Sequence, residues 1–153
     1  MNRIVILMFG TFVFCSCSEP STNESALQNF LKILKNSHVN VDQVRQKALA
    51  LNDMKNHKAA QIRTRDSIVD SQLLAMRTKF NSCDIVSYLT YDQVKKTVEA
   101  KSLEPMPKAE NENQSVYYIT CNDKVITPIL LESGKVASTT TMTKGTRRYF
   151  IRF

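Results

Sequence analysis

Tryptophan is absent from this chain, and only three of its 153 residues are glycine. So few glycines exclude the glycine-rich phosphate loop and the dinucleotide fingerprint, and no G-x-S-x-G nucleophile elbow is present. Histidine is nearly missing as well. His38 and His57 are not at the paired spacing of a metal motif such as H-E-x-x-H, and both read as ordinary exposed side chains. No catalytic residue, cofactor or metal ligand is marked by the pattern, so the chain is not expected to be an enzyme. Long apolar runs are also lacking. The longest, Ile4–Phe14, is too short to cross a bilayer, which takes about 20 apolar residues.

What is present begins with that run. Arg3 precedes it, and Cys15-Ser16-Cys17 follows, before polar Ser18-Glu19-Pro20. A basic residue, a short apolar stretch and small residues suit a secretory signal. Phe14-Cys15-Ser16-Cys17 resembles a bacterial lipoprotein signal. That resemblance implies removal of residues 1–16 and lipidation at Cys17, with a membrane as the first partner through the anchor. Ser18, rather than aspartate after the cysteine, implies an outer-membrane lipoprotein facing the periplasm. Ordinary cleavage within Ser16-Cys17-Ser18 is the alternative.

Loss of residues 1–16 leaves a chain long enough for one modest domain. It lowers the net charge from +7 to +6, because Arg3 goes with the leader. Export argues against nucleic acid as a partner. The excess of Lys and Arg is expected on a solvated surface facing anionic lipid or lipopolysaccharide, with a specific anionic ligand as the second reading. Two cysteines remain in the body, Cys83 and Cys121. In an oxidising compartment such a pair is expected as a disulfide stapling helical part to sheet; two separately buried thiols are the alternative.

The periodicity predicts an α+β fold, with N-terminal helices followed by a three- to four-stranded antiparallel meander. Residues 17–25 read as a polar tether, and Asn23 and Asn113 begin formal sequons of no expected consequence. Residues 26–153 read as a single domain, helical over 26–102 and β over 115–153. Leu27, Phe30, Leu31 and Leu34 mark a first helix over 26–35. Asn40 starts a second helical region over 41–80, either one long helix or, as the fading apolar stripe favours, two with a break or bend near Asn52-Asp53 or Asn56-His57. Thr90, with Gln93 three residues on, predicts a short capped helix whose inward face is Val94 and Val98, stopped by Pro105 and Pro107. Residues 108–114 read as a polar, mobile loop. Strands are predicted over 115–121, 124–132, 135–143 and 147–153, joined at Asn122-Asp123, Ser133-Gly134 and Lys144-Gly145. Pro128 cannot donate to a ladder and predicts an edge or a bulge.

Asp66 and Asp70, beside Arg63 and Arg65, read as a solvated helix face rather than an acid/base pair. Tyr117-Tyr118 and Tyr149-Phe150 put aromatics on both faces of the sheet and read chiefly as core, with an aromatic binding surface on one face as the second possibility.

The stretch Leu89-Thr90-Tyr91-Asp92-Gln93-Val94 resembles the M-T-x-x-Q-V part of a signature carried by the small lipoproteins of the outer-membrane barrel assembly machinery, the BamE/SmpA type. Pro105, the aromatic strand at Tyr117-Tyr118 and the stretch 130–137 extend the resemblance over residues 85–142. Tyr88 stands where that family has glycine, and the helical region before it is longer. The resemblance implies a scaffold that binds another envelope protein, with Thr90, Gln93, Tyr117 and Tyr118 as partner-binding candidates. The expected function is thus a non-catalytic binding or assembly role in the envelope, including outer-membrane protein assembly. An inhibitor or immunity-type periplasmic lipoprotein is the alternative.

Overall fold

The computed structural model describes residues 21–51, 58–97 and 103–153; Cys17, the run Ile4–Phe14, His57 and Val98 lie outside them. Helix α1 spans Thr22–Lys35. It begins four residues before the expected start because Ser21 caps it, accepting the Glu24 N–H at 3.2 Å. Asn23, expected in a tether, is a clip to the sheet. Its side-chain oxygen accepts the Gly134 N–H at 2.9 Å, and its amide donates to Ser115 Oγ at 3.0 Å. Residues 21–25 therefore belong to the folded body.

Asn40 caps α2 (Val41–Ala48), accepting the Asp42 N–H at 3.2 Å. The region is two helices, and α2 ends before the expected break points, Asn52-Asp53 and Asn56-His57, which lie outside the described residues. Leu49 leaves the helix to bridge Val136, and the Ala50 N–H donates to the Val136 carbonyl at 2.8 Å. Helix α3 then runs Ala59–Asn81. Arg77 ties it to α1, donating to the carbonyls of Leu34 and Val39, each at 2.8 Å, where the end of α1 leaves acceptors free.

The charge reading at Asp66 and Asp70 needs correction. Arg45 reaches across from α2 and pairs with Asp66 at 2.5 Å, Asp70 at 2.8 Å and its own helix neighbour Asp42. Its side chain is only 11% exposed, so this is an interhelical ion-pair network rather than a solvated face. Burial alone would lower the Arg45 pKa; the Asp70 hydrogen bond and the three carboxylate charges overcome that and raise it.

Strand β1 (Val86–Thr90) was not foreseen. Its burial does not alternate cleanly, and it runs straight into α4 (Tyr91–Val94), whose cap signal dominates the segment. That cap forms as predicted: Thr90 Oγ1 accepts the Gln93 N–H at 3.3 Å, and Gln93 Oε1 accepts the Thr90 N–H at 2.7 Å. Strands β2 (Gln114–Cys121), β3 (Lys124–Glu132) and β4 (Lys135–Ser138) complete a four-stranded antiparallel sheet of order β1-β2-β3-β4. Both tight turns have two positive φ values, at Asn122-Asp123 and Ser133-Gly134, which matches the twist of a two-residue hairpin. Pro128 faces Tyr118 of β2 and lies before Leu130, where pairing with β4 begins, so its missing N–H costs no bond on that side.

The predicted third strand divides. Ser138 Oγ lies 3.1 Å from the Thr140 N–H and 2.5 Å from the Ile151 carbonyl, and this side chain replaces ladder bonds at the kink. Beyond it, β5 (Thr140–Lys144) and β6 (Arg147–Ile151) form a separate two-stranded hairpin.

The sheet is covered on both faces. On one, Tyr117, Ile119, Ile129, Leu131 and Val136 pack against the apolar stripes of α1, α2 and α3. On the other, Val116, Tyr118, Leu130 and Ala137 meet Val94, Leu103, Met106 and Phe150. Cys83, just past α3, lies at disulfide distance from Cys121 at the end of β2, 2.05 Å between sulfurs. The expected staple between helical part and sheet is therefore formed. The 108–114 segment is tied down too: Gln114 Oε1 accepts the Glu110 N–H at 2.9 Å, and Gln114 donates to Glu132 at 3.2 Å.

Candidate functional site

The predicted partner-binding residues do structural work. Thr90 and Gln93 spend their side chains on the reciprocal cap of α4. Tyr117 and Tyr118 are 6% and 1% exposed and point to opposite faces of the sheet, so the reading of them as an aromatic surface is corrected to core. Tyr117 meets Tyr88 edge-on at 5.5 Å. The Tyr88 hydroxyl donates to Glu24 at 2.7 Å and accepts from Gln28 at 2.8 Å, joining β1 to α1. The Tyr118 hydroxyl donates to the Pro107 carbonyl at 2.8 Å, pinning the chain after Leu103 onto the sheet. Burial pushes the Tyr118 phenol far above the ordinary tyrosine range, and neighbouring Arg148 offsets this only in part.

That pinned stretch forms one wall of a cleft of about 950 Å³. Tyr91, Lys95, the turn before β6 and the first residues of β6 line the rest. Four cations converge there: Lys95, Lys108, Arg147 and Arg148. The Lys95 and Lys108 ammonium groups lie 5.3 and 5.2 Å from the centre of the Tyr91 ring, at cation–π distance. Glu104 and Glu110 also line the cleft, yet none of the four cations forms an ion pair with a described carboxylate. Arg148 Nε is buried and has no acceptor among the described residues. A buried guanidinium N–H without an acceptor is costly to the fold.

A smaller apolar groove of about 340 Å³ lies between α3 and β6, with Ile68, Val69, Ile151 and Phe153 in its walls. No described helix is long and apolar enough to cross a membrane, and no described cluster of His, Cys, Asp or Glu could hold a metal ion.

Residue-type reasoning missed Tyr91, Lys95, Lys108, Arg147 and Arg148 as a group. One signal was available. Residues 133–153 hold five cations and no Asp or Glu, so the positive charge is concentrated rather than spread. Comparison with family models, with curated proteins and with solved structures finds no match.

Proposed function

We propose that this chain is a lipid-anchored cell-envelope protein with a non-catalytic binding role, serving assembly of other envelope components. The observation that carries the binding part is the basic, aromatic cleft. None of its cations pairs with a described carboxylate, its lining includes Tyr91 and Tyr149, and its charges suit holding an anion in place. The envelope address rests on the Cys17 pattern, and the paired Cys83 and Cys121 are in keeping with an oxidising compartment. The assembly role extends the resemblance to the barrel-assembly lipoproteins. The capped turn Thr90–Val94, followed by Pro105 and the aromatic strand β2, supports it.

The test is metabolic palmitate labelling, mass spectrometry of the N-terminus and cross-linking in the intact envelope. The expected result is label lost in Cys17→Ala, an acylated Cys17 as first residue, and cross-links to outer-membrane assembly proteins. An unmodified N-terminus at Glu19, or cross-links to a single secreted enzyme only, would overturn the reading.

A further inference from the structure

We infer that the cleft recognises a sugar phosphate, with the phosphate on the cations and the sugar hydroxyls on the two glutamates. The inference rests on the reading of this cleft as a binding site, but not on the anchor. Both charge signs in the cleft carry information. Lys108, Arg147 and Arg148 suit a phosphate: guanidinium groups offer fork-shaped donor sets, and lysine adds a mobile point charge. Arg148 lines the same cleft, and its Nε has no acceptor among the described residues. An anion would also relieve the mutual repulsion of cations that no described carboxylate neutralises.

Glu104 and Glu110 argue against a bare phosphate or a polyanion, because each carboxylate would repel additional negative charge. A carboxylate without a cation partner is instead a strong acceptor for hydroxyl donors. The ligand should therefore carry one concentrated anionic group and a body rich in hydroxyls. Tyr149, 38% exposed, and Met106 both line the cleft and offer apolar surface to the flat face of a sugar ring. The cleft is large enough for one or two sugar rings.

A phosphosugar can come free in solution or as the head of a glycolipid, and the experiment separates them. The whole chain with its disulfide intact is titrated calorimetrically with glucose 1-phosphate, inorganic phosphate and glucose. It is then mixed with vesicles bearing either a phosphorylated glucosamine-disaccharide lipid or phosphatidylglycerol at equal charge. Glucose 1-phosphate is expected to bind at least tenfold more tightly than inorganic phosphate or glucose. Lys108→Gln with Arg147→Gln, both exposed in the native fold, should cut that affinity at least tenfold with an unchanged melting temperature. Glu104→Gln with Glu110→Gln should weaken glucose 1-phosphate while strengthening inorganic phosphate. Retention on the glycolipid vesicles that free glucose 1-phosphate competes away would assign the lipid source; tight solution binding without such retention would assign the free one. Equal affinity for phosphate and glucose 1-phosphate would overturn the inference. So would retention that follows vesicle charge alone, or binding indifferent to the Lys108 and Arg147 changes. None of these outcomes depends on Cys17, so failure here leaves the palmitate test of the anchor standing.

Discussion

The two faces of the four-stranded sheet are built differently. One face buries a continuous apolar cluster under three helices, with Phe30, Leu34, Leu73 and Phe80 fully enclosed. The other carries a smaller cluster under one helical turn, a pinned loop and a hairpin, and its margin opens into a cleft whose cations pair with no described carboxylate. Polar side chains on the helical face are matched: Arg45 with three aspartates, Arg77 with two carbonyls, Tyr88 with Glu24 and Gln28. On the opposite face Arg148 Nε is buried without an acceptor among the described residues. A fold that satisfies its polar groups on one side and leaves them unsatisfied on the other separates stability from recognition.

Substitutions can break or sharpen that division. The largest effect is expected at Phe30→Ala, deep in the helical cluster, at about 3–5 kcal/mol of lost stability by denaturant unfolding. An equally large loss at an exposed cleft residue would erase the contrast between faces. Replacing Cys83 and Cys121 together by alanine should cost about 2–4 kcal/mol, because the link closes a long loop between α3 and β2. Arg45→Met should cost somewhat less, about 2–3 kcal/mol, since removing the guanidinium leaves three partly buried carboxylates close together, with only Asp66 keeping a described cationic partner, Arg65. These three belong to stability and should leave ligand affinity unchanged in the folded fraction.

Glu132 joins the two regions. It accepts from Arg152 and from Gln114, and the Arg152 hydrogen bond, followed by that from Gln114, holds its carboxyl below the ordinary glutamate value. A depressed carboxylate stabilises the fold above its unfolded titration range, and that contribution is lost as pH falls through the folded value. The melting-temperature gap between the native chain and Glu132→Gln should therefore be widest near neutral pH and shrink on acidification past the usual glutamate range. The pair is partly exposed, so the gap should be small and should narrow with added salt. A gap that widens in acid would contradict the assignment. The smallest effect on stability is expected at Lys108→Gln, within about 0.5 kcal/mol, because among the described residues its ammonium reaches only the Tyr91 ring.

Much of the helical face was legible from periodicity. Leu27, Phe30, Leu31 and Leu34 recur at helical spacing, and all four are buried. The turns at Asn122-Asp123 and Ser133-Gly134 were legible because their residue types tolerate positive φ. Strand β1 was hidden because an edge strand need not alternate, and its neighbour Thr90 carries a stronger, helical signal. The kink at Ser138 was hidden because a side chain replacing a backbone partner leaves no trace in hydrophobic pattern. The cleft was least legible. Tyr91, Lys95 and Lys108 stand far along the chain from Arg147 and Arg148, and only the closure of the hairpin over the second sheet face brings them together.

Hydrogen exchange of the whole chain, with and without saturating glucose 1-phosphate, tests the division of labour most directly. Added protection is predicted in residues 103–110 and 146–149, with exchange in α1, α2 and α3 unchanged. Protection spread over the helical face, or none at the cleft, would contradict a sheet whose one side stabilises and whose other side binds.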